Sequence, residues 1–78
     1  MGEYAVLLID SYTDEEELLG RFDSLGMAKK HILDIIKPML DEHTWYKNHG
    51  SKRLESFEQE LNEYWKVKPF DTYVIYHI

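Results

Sequence analysis

The sequence predicts an α+β fold, an antiparallel sheet of about three strands with two helices on one face, in the order β-β-α-α-β. Stretches rich in β-branched and aromatic residues lie near both ends of the chain, as expected of strands. Two stretches between them repeat apolar residues at three- and four-residue spacing, which is typical of amphipathic helices. With 78 residues the chain has room for one hydrophobic core, so residues 1–78 are expected to form a single domain.

The predicted strands begin with the apolar run from Tyr4 to Ile9, whose continuous hydrophobicity favours the centre of a sheet. Leu18 to Phe22 is a second, short strand in which Gly20 marks a bulge. These two strands form a hairpin with an acidic tip. The last strand lies within Phe70 to Ile78, and we expect it to neighbour the first.

The first helix is predicted to begin after Ser24, a good N-cap residue. Its apolar stripe consists of Leu25, Ala28, Ile32, Ile35, Ile36, Met39 and Leu40. Pro38 lies within this stripe and removes a backbone hydrogen bond, so the helix is expected to kink or restart near Lys37. Because the stripe continues past the proline, a kink is favoured.

The second helix is predicted to follow a loop from Thr44 to Gly50, with Ser51 as its cap and Pro69 as its end. Its apolar positions are Leu54, Phe57, Leu61 and Tyr64 or Trp65. Two aromatic pairs, Trp45-Tyr46 in the loop and Tyr64-Trp65 at the helix end, are open to two interpretations. They cover the edge of the core, which is favoured, or they form a binding hot spot.

The net charge of −6 is concentrated near the start of the chain. Residues 3–23 contain one base, Arg21, and seven acids: Glu3, Asp10, Asp14, Glu15, Glu16, Glu17 and Asp23. The remaining residues contain eight acids and eight bases. Such a field disfavours direct binding to nucleic acid, which requires a basic surface, and favours a cationic partner.

The run from Asp14 to Glu17 has three interpretations. It is a solvated loop, or it joins Asp10, Asp23 and Glu3 in an anionic surface that faces a basic protein groove. A calcium loop is disfavoured because the run lacks the alternating oxygen ligands and central glycine of an EF-hand.

Catalytic and cofactor signatures give no support for an enzyme. The four histidines lack metal-ligand spacing, and there is no cysteine and no phosphate-binding glycine motif. Asp41-Glu42-His43 places an imidazole beside carboxylates, but it is better explained as a helix C-terminus. We therefore expect no catalytic residues, no metal and no cofactor, no membrane partner, and a reducing cytoplasm as the location.

The segment from Leu19 to Ala28, with the ending from Tyr73 to Tyr76, resembles the strand, F-x-S-x-x-x-A helix and final strand of small phage-encoded proteins. The resemblance covers most of the chain except the second helix, and it carries over no site residue. In size and charge the chain is similar to the acidic phage proteins that imitate DNA, including inhibitors of the histone-like protein HU. The resemblance implies a host-takeover protein that acts in the host bacterial cytoplasm.

The functional hypothesis is a non-enzymatic DNA mimic that blocks the nucleic-acid-binding surface of a basic host protein such as HU. Its expected binding residues are Asp10, Asp14, Glu15, Glu16, Glu17 and Asp23, extended by Glu55, Glu58 and Glu63 of the second helix. The alternative is a regulatory or structural adaptor, or a homodimer. It would bind through an open sheet face that carries Tyr4, Tyr73 or Tyr76, or through an exposed strand edge.

Overall fold

The computed structural model describes residues 2–42 and 50–78, with side-chain environments for residues 2–40 and 53–78. Its elements in chain order are β1 (Tyr4–Ile9), β2 (Glu16–Phe22), α1 (Leu25–Glu42), α2 (Gly50–Tyr64), β3 (Lys66–Val67) and β4 (Thr72–His77). The predicted α+β class is confirmed, with a fourth strand, β3, added to the expected three. None of the helices in the described ranges has the length and apolarity needed to span a membrane.

The sheet has the strand order β2-β1-β4-β3, and each neighbouring pair is antiparallel. As predicted, β1 is central and β4 is its neighbour. The register of the hairpin shifts between Val6 and Leu7, whose partners are Gly20 and Leu18. This shift confirms the predicted bulge and leaves Leu19 as the extra residue of β2, packed against the core.

The core lies between one face of the sheet and both helices. Its largest fully buried side chains are Val6, Ile32, Ile36, Leu61 and Val67. Tyr73 and Ile75 of β4 join the same cluster, and Tyr4 and Leu8 of β1 pack against it. Because side chains alternate along a strand, the intervening residues lie on the opposite face, which no helix covers among the described residues.

This alternation corrects the predicted tyrosine-bearing face. Tyr73 is only 5% exposed and lies in the core, and Tyr4 also packs on the core side. Tyr76, at 47% exposure, is the one of the three that lies on the opposite face. The expectation was wrong for Tyr73 and Tyr4 because neither strand separates apolar from polar residues cleanly, so the pattern alone did not show which set faces the helices.

Helix α1 begins as predicted, with the Met27 N–H donating a 3.2 Å hydrogen bond to the Ser24 hydroxyl. Its buried stripe contains Ala28, Ile32, Ile36 and Leu40 at three- and four-residue spacing. The helix does not restart at Pro38 but continues to Glu42. The predicted loop residues 44–49, including Trp45 and Tyr46, lie outside the described residues, and Gly50 is already helical.

Helix α2 ends at Tyr64, earlier than the predicted stop at Pro69. Trp65 has a φ of 55° and caps the helix, donating its N–H to the Leu61 carbonyl at 3.0 Å. The Trp65 carbonyl then accepts a 2.8 Å hydrogen bond from the Ile75 N–H. The Trp65 ring packs edge-on against Tyr4, with centroids 5.8 Å apart, in agreement with a core role, whereas Tyr64 is exposed.

Candidate functional site: the acidic end of the hairpin

The loop between β1 and β2 is held by its own hydrogen bonds. The Oδ1 atom of Asp10 accepts bonds from the N–H groups of Tyr12 (2.8 Å) and Thr13 (3.1 Å). The backbone closes around it, because the Asp14 N–H donates to the Asp10 carbonyl and the Asp10 N–H donates to the Glu15 carbonyl. Asp14 adopts a φ of 60°, a left-handed conformation that Asp tolerates better than most residues. The tip is therefore a defined turn.

The pKa of Asp10 is lowered from its usual value of 3.8, chiefly by the N–H groups of Tyr12 and then Thr13. Hydrogen bonds to the ionised form stabilise the charge. Asp10 therefore remains negatively charged while it holds the turn, so it has both a structural role and an electrostatic one.

A concavity of about 320 Å³ lies beside this turn, lined by Leu8, Asp10, Glu15, Glu16 and Glu17. Asp14, Glu15, Glu16 and Glu17 are exposed to solvent. Glu16 and Glu17 belong to β2 rather than to the loop, paired opposite Ile9 and Leu8. The strand therefore fixes the backbone from which these two carboxylates project.

A sixth carboxylate, that of Asp71, meets the tip from the opposite end of the sequence. Its Oδ1 atom accepts a 3.1 Å hydrogen bond from the Ser11 N–H. In the sequence, Asp71 lies within the part of the chain, outside residues 3–23, in which acids and bases are equal in number. The position of Asp71 could have been inferred from the predicted pairing of the first and last strands, because antiparallel pairing places the start of β4 beside the end of β1. We call Asp10, Asp14, Glu15, Glu16, Glu17 and Asp71 the acidic end.

Glu3 and Asp23 do not belong to the acidic end. Glu3 precedes β1 and Asp23 follows β2, so both lie at the opposite end of the hairpin, about 20 Å away for a seven-residue strand. Arg21 lies near them and pairs with Glu3 at 3.8 Å. The expectation of one continuous patch was therefore wrong. Arg21, the one base of residues 3–23, is therefore not part of the acidic end.

The α2 acids Glu55, Glu58 and Glu63 are exposed. Within the described residues, α2 packs against α1 and β3 and not against β1 or β2. Since β3 and β2 are opposite edges of the sheet, these acids form a set separate from β2 and its acids. They provide a natural control for the effect of charge alone.

The described histidines make contacts with aromatic rings. His31 lies 5.0 Å from Phe22 between ring centroids, and His77 stacks on Tyr4 at 4.7 Å. Among the described residues, which exclude His43 and His49, no group of three or more His, Asp or Glu side chains is arranged to hold a metal ion. The arrangement on the acidic end is suited to charge complementarity.

Comparison of the chain with protein-family models, with curated proteins and with solved structures finds no match. Function is therefore inferred from the geometry and charge of this chain.

Proposed function

We propose that the protein is a non-enzymatic inhibitor that places its acidic end in the nucleic-acid-binding surface of a basic host protein, in the manner of a DNA mimic. A histone-like protein of the HU type is the kind of partner that fits, and a phage-encoded host-takeover factor is the kind of protein proposed. The observation that carries the proposal is the convergence of six carboxylates on one end of the sheet, four of them around a concavity that, among the described residues, is otherwise lined by Leu8.

The acids of β2 project on both sides of the sheet edge. Successive side chains of a strand point to opposite faces, so Glu17, which pairs with Leu8, projects on the helix side, and Glu16, which pairs with Ile9, projects on the other side. A basic groove that closes around this edge would meet carboxylates on both sides.

The shape of the acidic end also supports a protein partner. A Lys or Arg side chain combines an apolar stem with a charged head. Within the concavity, Leu8 offers an apolar contact for the stem, and the carboxylates of Asp10, Glu15 and Glu17 surround the head. Because the turn is already held by the Asp10 hydrogen bonds, little ordering is required on binding.

The experiment that tests the proposal is affinity capture from a bacterial lysate at low and high salt, with bound proteins identified by mass spectrometry. The wild-type chain is compared with Glu15→Lys/Glu16→Lys/Glu17→Lys. The matched control is Glu55→Lys/Glu58→Lys/Glu63→Lys, which changes the net charge by the same amount on α2.

We call Glu15→Lys/Glu16→Lys/Glu17→Lys the hairpin variant and Glu55→Lys/Glu58→Lys/Glu63→Lys the α2 control. The proposal predicts that the wild type and the α2 control recover basic nucleic-acid-binding proteins at low salt only. The hairpin variant should not recover them. Equal loss in both variants would show that net charge, rather than the acidic end, governs capture. Recovery of a neutral partner that resists salt would also contradict the proposal.

A further inference from the structure

We propose that the face of the sheet opposite the helices is an interface between two copies of this chain. We call it the open face; its apolar residues are Ala5, Leu7, Ile9, Leu18, Val74, Tyr76 and Ile78. The strand register carries this assignment, because Leu7 pairs with both Leu18 and Val74, and Ala5 pairs with Tyr76. Ile78 extends the face by donating its N–H to the Glu3 carbonyl at 2.7 Å.

Apart from Ala5, which is 7% exposed, the apolar residues of the open face are half-buried or exposed. Leu18 is 51% exposed although it pairs with Leu7, and Ile78, which follows β4, is 62% exposed. Leu7, Ile9 and Val74 are half-buried and do not belong to the core cluster. A contiguous apolar surface of this kind is characteristic of an interface rather than of solvent-facing sheet.

The charges on the open face favour a second copy over the basic partner of the acidic end. Acids and bases are balanced there, with Glu3 paired to Arg21, Glu16 on β2 and Lys66 on β3. A face with mixed signs does not select a cationic surface. Such a face can bind a second copy of itself. A two-fold axis that lies between the two sheets and runs parallel to the strands places β2 of one copy over β3 of the other, so that opposite charges can meet.

In this arrangement Glu16 of one copy faces the β3 strand of the other, near Lys66. Glu16 pairs with Ile9 of β1. Lys66 pairs with Val74, which in turn pairs with Leu7 of β1. Measured along β1, the two residues are therefore two positions apart. Leu7 of one copy then lies over Val74 of the other. A two-fold axis in the plane of the sheet but perpendicular to the strands would instead place β3 over β3. Lys66 would then lie near Lys66 of the other copy, and the two like charges would repel each other.

The size of the face sets the expected strength. Three strands of six or seven residues and the two-residue β3, spaced about 4.8 Å apart with a rise of about 3.3 Å per residue, give a projected face of about 330 Å² per copy. Two copies therefore cover about 660 Å² in projection, which is less than the roughly 1,200 Å² at which stable specific interfaces begin. We expect a weak, reversible dimer.

Sedimentation equilibrium of the purified chain over a wide concentration range tests the proposal. Leu18→Glu should weaken the dimer at least about tenfold, because it places an unpaired charge within the apolar face. The matched control is Met27→Glu, which introduces the same charge at a residue on α1 that is 56% exposed. Circular dichroism verifies that both variants are folded, and the control should dimerise like the wild type.

A charge swap tests the orientation. Glu16→Lys should weaken the dimer by placing like charges opposite each other, and Glu16→Lys/Lys66→Glu should restore it. Because each copy carries a net charge of −6, rising salt should strengthen self-association, whereas it weakens the capture of a basic partner. Glu16 belongs to both the acidic end and the open face, whereas Leu18→Glu leaves the six carboxylates of the acidic end in place. Dimerisation scored with Leu18→Glu and capture scored by its salt dependence therefore let the two proposals fail independently.

A wild-type chain that remains monomeric at all concentrations would overturn the dimer and leave the open face to a different protein or to a lipid surface. Dimerisation that Leu18→Glu leaves intact would place the interface elsewhere. A double variant as weak as Glu16→Lys alone would contradict the two-fold arrangement.

Discussion

The Ser11 N–H donates a 3.1 Å hydrogen bond to the Asp71 carboxylate, which is sixty positions further along the chain. This bond joins the hairpin tip to the start of β4. It adds a carboxylate to the acidic end and fixes the tip to the sheet. The acidic end is therefore assembled from both ends of the sequence by the pairing of β1 with β4.

Asp71 is expected to order the tip through its acceptor oxygen and to assist binding through its charge. Asp71→Asn keeps an acceptor and removes the charge, whereas Asp71→Ala removes both. Amide hydrogen exchange at Ser11 should be faster in Asp71→Ala than in wild type or Asp71→Asn. Equal exchange in all three proteins would contradict the anchoring role.

Asp10 is expected to make stability depend on pH in the acid range. Its pKa is below 3.8 in the folded protein, so its contribution is fully present above pH 3.8 and is lost as the pH falls through the folded pKa. Asp10→Ala should therefore lower Tm at neutral pH, and the difference from wild type should shrink as the pH falls. A Tm difference that is constant from neutral to acid pH would argue against this role of Asp10.

Tyr73 is expected to make stability depend on pH in the alkaline range. Burial raises the pKa of its phenol above 10.0, and the negative charge of Asp71 adds to the effect. The contribution to stability is complete below pH 10.0 and is lost as the pH rises through the folded pKa. Tyr73→Phe removes the titrating hydroxyl, so the fall in Tm as the pH rises above 10.0 should be smaller in the variant than in wild type. An equal fall in both proteins would contradict this role of Tyr73.

Ile32 is expected to be a major determinant of stability, because its side chain is fully buried between α1 and the sheet. Ile32→Ala should lower the free energy of unfolding by about 2–5 kcal/mol through lost transfer energy and a residual cavity. Met27→Ala, at an exposed position of the same helix, should change it by less than about 0.5 kcal/mol. Urea denaturation measures both, and similar values for the two variants would contradict the assignment of the core.

Periodicity was sufficient to predict β1, β2, α1, α2 and β4. It failed for β3 because two residues, Lys66 and Val67, are too few to form a pattern, and their strand conformation comes from pairing with β4. The end of α2 was misplaced for a related reason. Trp65 adopts a left-handed conformation that is rare for Trp, so the tertiary packing on Tyr4 overrides the local preference.

The acidic end was predicted in part. Asp14 to Glu17 is evident in the sequence, but a charge count over residues 3–23 ignores the length of the hairpin that separates Glu3 and Asp23 from the tip. Asp71 required the pairing of β1 with β4 to be followed residue by residue. The sheet topology therefore separates Glu3 and Asp23 from the acids of the tip, and it brings Asp71 next to them.

The most direct test of the proposed function is competition for DNA on a purified HU-type protein, followed by the fluorescence anisotropy of a labelled duplex. The wild-type chain should displace the duplex at low salt, with an apparent affinity that falls steeply as salt rises. The variant Glu15→Lys/Glu16→Lys/Glu17→Lys should not displace it, while Glu55→Lys/Glu58→Lys/Glu63→Lys should. If the wild type fails to displace the duplex, or if the hairpin variant displaces it equally well, the acidic end does not act as a DNA mimic.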